Sequence, residues 1–348
     1  MNEMTVGING IAGRIGKFTA YEIAMLGVAV EKPQSRDARG IPTRISAVND
    51  LASTDEIIAS LQQKDAVHGA LSWEISKIAE DDILINGNPV KVFHEENPAK
   101  IFWPTQIVAD CTGRCTSTEQ ASQHFQHSAF LEYVAVSAPG DMPMYCMGIN
   151  HAFYQQERIV SNASCTTKAV ALPLKVLLDA GIGIEAVLLD TTHAATNTQK
   201  PLQVFSAYGV LDTIMSAKTG AAKSVGKLLP ELENKIDGFA MRVPTRDGSF
   251  ANIYLVVHDS FESAEDYNQL FRGACNNTKY AGRLSVFEGD EIGSPDIIGN
   301  TTSATIALSK TKLIPFPNHS LLGIVSGYDN ERGPAKDLAL LCQYMLKH

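Results

Sequence analysis

The segment from Met4 to Asp50 constrains the fold more than any other part of this chain. "MTVGIN" has the pattern of a short buried strand, a glycine-rich turn follows it, and "GKFTAYEIAML" has the apolar spacing of a helix. A loop with Pro33, Gly40 and Pro42 then leads to a second apolar strand, "RISAVND". A strand, a helix and another strand in this order predict the start of a parallel sheet that is covered by helices.

The turn between the first strand and the helix contains Gly10, Gly13 and Gly16. Their spacing is GxxGxxG, one residue longer than the common dinucleotide fingerprint GxGxxG. Such glycines let the backbone turn tightly and approach a pyrophosphate at the helix N-terminus. Asp50 ends the next strand, where a carboxylate binds ribose hydroxyls and repels a 2′-phosphate, so the motif favours NAD over NADP. An incidental glycine turn is the alternative, but the flanking strand, helix and acidic residue favour a cofactor site.

Composition and charge exclude several classes of protein. The chain has 348 residues, of which 45% are hydrophobic and 19% charged, which is typical of a globular chain with two domains. No apolar run is long enough to span a bilayer and the N-terminus lacks a basic leader, so we expect a cytoplasmic protein with no membrane partner. A formal net charge of −9 argues against nucleic-acid binding. The six cysteines form no CxxC pair and the histidines do not cluster, so we expect reduced thiols and no metal site.

The pattern of the chain changes from about Ile184. Long strands such as "IEAVLLDTTHA", "FANIYLVVHD" and "HSLLGIVSGYD" follow with few helices between them, which predicts a second domain of α+β type with a mixed sheet. The last segment, "PAKDLALLCQYML", has leucines at helical spacing. The predicted fold class is therefore α/β: a Rossmann-type parallel-sheet dinucleotide-binding domain plus an α+β domain.

One cysteine lies in the segment "SNASCTTK", where Ser164 and Thr166 surround Cys165 with hydrogen-bonding groups. Three features could lower the pKa of this thiol and so supply a nucleophilic thiolate. Cys165 begins a predicted helix, Lys168 follows one turn later, and His193 ends a long strand where it could act as the partner base. The residues alone leave an alternative equally open, in which Cys165 only fills the helix start and His193 is structural.

Several longer motifs occur in one order from end to end: "INGIAGRIGK", "DCTG", "SAPGDMPMYCMGIN", "IVSNASCTT", "TTHAATNTQK", "TGAAKSVGKLLPEL", "MRVPT" and "GYDNE". On these motifs the chain resembles the phosphorylating glyceraldehyde-3-phosphate dehydrogenase family over nearly its full length. The related erythrose-4-phosphate dehydrogenases share most of the set. The resemblance implies a NAD-binding domain of residues 1–164 and 327–348, to which the C-terminal helix returns, and a catalytic domain of residues 165–326.

The resemblance also implies a role for each matching position. Cys165 matches the nucleophile that forms a hemithioacetal and then a thioester, and His193 matches its base and oxyanion donor. The implied phosphate-binding residues are Thr196, Thr198 and Arg242 for the substrate's own phosphate, and Ser164, Thr166, Thr219 and Gly220 for inorganic phosphate. The implied cofactor-binding residues are Asn9, Gly10, Gly13, Arg14, Ile15, Asp50 and Asn330.

The reaction implied is the NAD-dependent oxidation and phosphorylation of glyceraldehyde 3-phosphate to 1,3-bisphosphoglycerate by a glycolytic homotetramer. Two departures from the family pattern leave alternatives open. First, Lys168 stands where the family usually has asparagine. Second, the segment between "TQK" and "TGAAK" is shorter than in the family and lacks arginine. Lys218, which directly precedes Thr219, could then replace a guanidinium at the inorganic-phosphate site. The alternatives are a dehydrogenase for erythrose 4-phosphate or another phosphorylated aldehyde, and a catalytically weak paralogue with a binding or regulatory role.

Overall fold

The computed structural model describes residues 3–28, 42–196, 213–258 and 261–348, and the chain divides into two compact units. The described residues of Met1–Met147, Phe153–Ala163 and Pro334–His348 form the first unit, and those of Gly148–Ala152 and Ser164–Gly333 form the second. The sequence placed the return to the first domain at residue 327. In the structure the last long strand of the second unit continues to Tyr328, and that unit extends to Gly333.

The first unit is built on an eight-stranded sheet. Its strand order is β3-β4-β5-β2-β1-β6-β7-β8, with parallel pairing from β5 to β8 and antiparallel pairing in the β3-β4-β5 meander. The central strands are buried on both faces, as the apolar runs predict. The strands are β1 (Met4–Asn9), β2 (Thr43–Asn49), β3 (Ile75–Ala79), β4 (Asp82–Ile85), β5 (Asn88–Phe93), β6 (Ile107–Asp110), β7 (Tyr133–Val136) and β8 (Ile159–Ser161).

Helices cover this sheet and complete its core. They are α1 (Arg14–Val28), α2 (Thr54–Gln62), α3 (Thr118–Ser122) and the part of α8 (Arg332–Met345) that begins at Pro334. Leu338 and Leu341 of α8 are buried in one cluster with Val6 and Ile8 of β1, so the last helix stabilises the central strands. Among the described residues, no helix is long and apolar enough to cross a membrane.

The second unit contains a mixed eight-stranded sheet. Its order is β10-β11-β9-β12-β16-β14-β13, and β15 pairs with β16 outside this path. The strands are β9 (Ile184–Ala194), β10 (Met215–Ala217), β11 (Ile236–Val243), β12 (Ser249–His258), β13 (Leu284–Phe287), β14 (Ala304–Ala307), β15 (Lys312–Phe316) and β16 (His319–Tyr328). β9 and β11 are parallel, whereas β12 runs antiparallel to β9 and β16. The parallel sheet of the first unit and this mixed sheet confirm the predicted fold class.

The helices of the second unit are α4 (Cys165–Asp179), α5 (Ala221–Leu228), α6 (Ala264–Cys275) and α7 (Ser294–Ile297). Helix α4 packs on the sheet and contains Pro173, which has no N–H to offer the Ala169 carbonyl one turn earlier. The Ser326 hydroxyl of β16 donates to that carbonyl at 2.8 Å. The hydrogen bond that proline removes from the helix is thus replaced from the sheet.

Candidate active site

Cys165 is the first residue of α4 and is partly buried. The preceding residue, Ser164, is the N-cap, and its hydroxyl accepts from the Thr167 N–H at 3.1 Å. The turn that leads into the helix is strained, because Ala163 has φ 54°, in the left-handed region that a side chain disfavours. The local sequence therefore places the thiol at a helix N-terminus, where the peptide dipoles favour an anion.

His193 lies next to this thiol although 28 positions separate the two residues. Its Nε2 is 3.5 Å from the Cys165 Sγ, and its Nδ1 is 2.7 Å from the Ala194 carbonyl oxygen. A carbonyl can only accept, so this contact favours a proton on Nδ1 and leaves the Nε2 lone pair facing the sulfur. In this tautomer the imidazole can take a proton from the thiol.

The electrostatics of the pair differ from the expectation of a preformed thiolate. Burial raises the pKa of Cys165, and the Thr166 hydrogen bonds and the charges of Lys168 and Arg242 only partly offset it. Burial and the charge of Arg242 lower the pKa of His193 to about 4. The prediction of a lowered thiol pKa was therefore wrong for the protein without substrate: both groups are neutral at pH 7, and the thiolate must form when a proton passes to His193.

Arg242 of β11 is the cation beside this pair. It pairs in register with His193 of the parallel strand β9, and its guanidinium donates to the Ala194 carbonyl at 3.1 Å and contacts the His193 Nδ1. Thr196 follows two residues after the end of β9 and is partly buried, whereas Thr198 lies outside the described residues. The structure thus brings Cys165, His193 and Arg242 together.

The residues expected to bind inorganic phosphate lie at the N-termini of two helices that pack together, α4 and α5. Gly220 is the N-cap of α5, which packs against α4, and the Thr219 hydroxyl accepts from the Ala221 N–H at 3.1 Å. Thr166 is buried and its hydroxyl bonds to the Tyr328 hydroxyl at 2.8 Å, and Ser164 caps α4. Most of the loop before this segment, residues 201–212, lies outside the described residues. Two helix N-termini with hydroxyl groups form a suitable site for an oxyanion.

The structure adds three residues that sequence reasoning did not select. Tyr328 is buried, and its ring lies 6.0 Å from that of His193 in an edge-on arrangement. Asp247 accepts from the Asn330 N–H at 3.1 Å, and Ser249 donates to the Asn330 Oδ1 at 2.9 Å. The only sequence signal was position: Tyr328 directly precedes the "DNE" motif, and the other two follow "RVPT". Lys168, which the sequence did single out, is only 1% exposed.

A separate cavity of about 590 Å³ lies at the carboxyl ends of four neighbouring strands of the first unit. Its lining comes from the segments after β1, β2, β5 and β6, and includes Asn9, Gly10, Gly13, Asp50 and Asp110. In parallel sheets of this kind, ligands bind at this edge, next to the point where the strand order reverses. The volume is within the usual range for a cofactor cavity.

The glycines of this cavity are required by its geometry. Gly10 has φ +83°, and a side chain there would meet the backbone of Thr112 at 3.2 Å. A Cβ on Gly16 would lie 1.9 Å from the Gly10 carbonyl oxygen, so the first turn of α1 can approach the glycine loop only without a side chain. Asp50 accepts from the Ala12 N–H at 2.9 Å and lines the cavity. A glycine loop, a helix N-terminus and a carboxylate after β2 fit a dinucleotide with a free ribose 2′-hydroxyl.

The other predicted cofactor residues have structural partners of their own. The Asn9 side chain donates to Asp110 at 2.9 Å and accepts from Asn49 at 2.7 Å, so it braces the ends of three strands. Arg14 forms an ion pair with Asp65, and Ile15 packs against the core. Burial opposes ionisation of Asp65, but Arg14 and two backbone amides lower its pKa to about 2. The side chains of Arg14 and Ile15 therefore anchor α1.

Comparison with known proteins places these two sites in one family. A family model described as the NAD binding domain of glyceraldehyde 3-phosphate dehydrogenase matches residues 4–118, and the model of its C-terminal domain matches residues 164–330. Glyceraldehyde-3-phosphate dehydrogenase of Phytophthora infestans is 33% identical over 99% of this chain and 100% of its own length. The enzyme of Podospora anserina is 34% identical over 99% of this chain and 98% of its own length. The chain belongs to the glyceraldehyde-3-phosphate dehydrogenase family.

Membership of this family confirms the resemblance seen in the sequence. The protein is an NAD-dependent dehydrogenase of the glyceraldehyde-3-phosphate dehydrogenase type, and NAD is its cofactor. A relative from Caenorhabditis briggsae, named glyceraldehyde-3-phosphate dehydrogenase 2, is also 33% identical over 99% of both chains.

Proposed function

We propose that the protein oxidises and phosphorylates glyceraldehyde 3-phosphate to 1,3-bisphosphoglycerate through a thioester on Cys165. The observation that carries this proposal is the 3.5 Å contact between the Cys165 Sγ and the His193 Nε2, with Arg242 beside them. A thiol, a base with its lone pair towards the sulfur and a guanidinium for the substrate phosphate are the groups this reaction needs.

In the first step His193 accepts the thiol proton while the Cys165 sulfur bonds to the aldehyde carbon. The carbonyl oxygen becomes an oxyanion, and the protonated His193 and the N–H of Cys165 at the start of α4 can donate to it. Arg242 would hold the substrate phosphate, which brings two negative charges towards the ring of His193. Since the charge of Arg242 helps to lower the pKa of His193, a bound phosphate raises it again and makes the imidazole a stronger base at the moment it is needed.

When bound, NAD would be the oxidant that accepts a hydride from the aldehyde carbon. Loss of the hydride oxidises this carbon to a thioester with Cys165. His193 first gives its proton to the oxyanion, which forms the hydroxyl of the hemithioacetal, and it takes that proton back as the carbonyl re-forms. The helix N-termini of α4 and α5 would hold inorganic phosphate for attack on the thioester. Attack forms an acyl phosphate and breaks the carbon–sulfur bond, and the departing sulfur of Cys165 takes a proton from the protonated His193, which restores the neutral pair.

A panel of aldehydes tests this assignment. Formation of NADH is measured with glyceraldehyde 3-phosphate, erythrose 4-phosphate and unphosphorylated glyceraldehyde, each with and without inorganic phosphate. We expect the highest kcat/KM with glyceraldehyde 3-phosphate and a requirement for phosphate in steady-state turnover. Faster turnover of erythrose 4-phosphate would change the substrate, and a rate independent of phosphate would indicate hydrolytic release of the acyl group.

The second candidate function is that of a catalytically weak paralogue that binds NAD and a phosphorylated ligand. The observation that favours it is the raised pKa of Cys165, because a neutral thiol is a poor nucleophile. Cys165 and Cys275 are the two partly exposed thiols, and the other four cysteines are buried. Iodoacetamide labelling is therefore compared in the wild type, Cys165→Ser and Cys275→Ser. Rapid single-site labelling that is lost only in Cys165→Ser, together with loss of turnover and retained NAD binding, supports the enzyme. Slow labelling of Cys165 without aldehyde-dependent turnover supports the paralogue.

We also propose that the chain forms a homo-oligomer, with a tetramer expected from the family. One face of the second sheet carries large apolar side chains that are between 38% and 49% exposed: Leu188, Phe239, Met241 and Tyr254. Leu188 and Tyr254 are directly opposite in the β9–β12 ladder, so these side chains are neighbours. An apolar patch of this size on a charged chain is typical of a protein interface.

Light scattering after size-exclusion chromatography tests the assembly. We expect Phe239→Glu with Tyr254→Glu to reduce the molar mass, because the charges would be buried without partners. Phe153→Glu is the control, since Phe153 is 72% exposed and belongs to the first unit. A monomeric wild type, or an unchanged mass in the double variant, would contradict the proposal.

A further inference from the structure

Ser249, the first residue of β12, is fully buried and bonds to two parts of the active site at once. Its Oγ accepts from the Ala194 N–H at 3.0 Å and donates to the Asn330 Oδ1 at 2.9 Å. A backbone N–H can only donate, so the serine proton is available for Asn330. With its oxygen occupied in this way, Asn330 offers its amide N–H groups to a ligand.

The bond to Ala194 acts on the base. The carbonyl of the same residue accepts from the His193 Nδ1 at 2.7 Å and from Arg242 at 3.1 Å. This carbonyl favours a proton on Nδ1, with the Nε2 lone pair towards Cys165, and it acts against the Arg242 guanidinium, a donor that contacts the same nitrogen. The Ser249 hydroxyl holds the N–H of the same residue, Ala194, at the end of β9.

The turn before β12 holds Ser249 in place. Gly248 has φ +81°, and a side chain there would lie 2.8 Å from Ser294, so the turn requires glycine. Asp247 accepts from the N–H groups of Gly248 at 2.8 Å and of Asn330 at 3.1 Å. The turn therefore holds the backbone of Asn330 through Asp247 and its side chain through Ser249.

We propose that Ser249 is a positioning residue for catalysis, which couples Ala194, the residue whose carbonyl orients His193, to the side chain of Asn330. The proposal rests on the function proposed above, in which His193 is the base and Asn330 holds the nicotinamide carboxamide. Ser249 itself contacts neither substrate nor cofactor in this role. Its hydroxyl sets the direction in which each of the two functional groups points.

The test is a double-mutant cycle of Ser249→Ala and Asn330→Ala, with kcat/KM for the aldehyde as the readout. Ser128→Ala is the control, because Ser128 is also buried and its hydroxyl accepts from the Trp103 N–H at 2.9 Å and donates to the Ile101 carbonyl at 3.1 Å in the first unit. Both serine variants lose two buried hydrogen bonds of this kind, and Ser249→Ala also loses a hydrogen bond with the Tyr328 side chain, so Ser128→Ala controls for the two shared losses. Ser249→Cys, which keeps a γ atom but only a weak hydrogen-bond donor, serves if Ser249→Ala does not fold.

We expect Ser249→Ala to lower kcat/KM by about tenfold or more, since each lost hydrogen bond corresponds to about 2- to 13-fold. Ser128→Ala should stay within about twofold of the wild type. In the Asn330→Ala background the effect of Ser249→Ala should shrink by about threefold or more, because one of its two partners is already absent. Equal effects of the two serine variants, or full multiplication of the Ser249 and Asn330 effects, would overturn the proposal.

NADH formation by the wild-type protein distinguishes a failure of this inference from a failure of the proposed function. If the wild type forms no NADH with any aldehyde of the panel, the proposed function fails before the variants are compared. If the wild type turns over and Ser249→Ala equals it, only the positioning role of Ser249 is refuted.

Discussion

Arg242→Gln perturbs the active site in two ways that can be measured separately. The guanidinium of Arg242 is placed to bind the substrate phosphate, and it also lies against the His193 ring, whose pKa burial and this charge lower to about 4. Glutamine keeps a hydrogen-bonding side chain of moderate length but removes the charge. The variant should therefore lose affinity for the phosphate and at the same time raise the pKa of the base.

The first effect is estimated from the chemistry of the contact. A hydrogen bond to a charged group contributes about 1.5–3 kcal/mol, which corresponds to about 10- to 150-fold in kcat/KM for glyceraldehyde 3-phosphate. Unphosphorylated glyceraldehyde cannot use this contact, so its kcat/KM at pH 7.5 should change much less. The ratio of the two substrates thus isolates the phosphate contact from any general damage.

The second effect appears in the pH profile with glyceraldehyde. His193 must be neutral to accept the thiol proton, so activity falls when the pH drops below its pKa. In the wild type this acid limb lies near pH 4, and loss of a neighbouring positive charge should move it upward by about one unit. A stopped-flow assay of NADH formation between about pH 3 and 8 covers the acid limb of both proteins and resolves the shift, with Arg246→Gln, an exposed arginine four residues later, as control. An acid limb that stays in place or moves to lower pH would refute the electrostatic role of Arg242.

Three further changes test other parts of the structure. His193→Asn should lower kcat by about 10²–10⁴, the usual contribution of a general base, and a loss below tenfold in the NADH assay would separate His193 from proton transfer. Gly16→Ala should abolish NAD binding in calorimetry or prevent folding, because the new Cβ would lie 1.9 Å from a carbonyl oxygen. Gly273→Ala is the control, because its Cβ would meet nothing within 4 Å. It should leave NAD binding intact and stabilise its helix by about 0.5–1 kcal/mol. Asp65 has a pKa of about 2, whereas an ordinary aspartate has 3.8. Its ionised form therefore adds up to about 2 kcal/mol to the free energy of unfolding above about pH 4, and this contribution is lost towards pH 2. Asp65→Asn should reduce the pH dependence of the unfolding free energy, measured by denaturant titration, in that interval.

The fold of the first unit could be predicted because its signals are local. The strand β1, the glycine loop and α1 follow one another within 25 residues, and each needs only its own side chains to be recognised. The same is true of the turn between β4 and β5, where Asn86 and Gly87 both have positive φ, as an Asn-Gly pair favours. Asp50 could be placed beside the glycine loop because adjacent parallel strands end at the same edge of a sheet.

The electrostatics of the thiol could not be predicted in the same way. The helix start and Lys168 are local features, and both act in the direction expected from the sequence. The degree of burial is set by β9, β12, β14 and β16, which pack around α4 from distant parts of the chain. Desolvation outweighs the local terms, and a sequence contains no direct measure of it.

The residues that sequence reasoning missed share one property: they orient other functional residues and do not react themselves. Ser249 and Asp247 bond to Asn330 and to the backbone beside His193, and their side chains are common in loops and strand ends. A residue type indicates chemistry only when that type is itself the reacting group, as for Cys165. The partners that orient such a group are chosen by geometry, since any hydroxyl or carboxylate at the right point would serve. The direction of the His193 lone pair, on which proton transfer from the thiol depends, therefore follows from the pairing of β9 with β11 and β12 rather than from any motif.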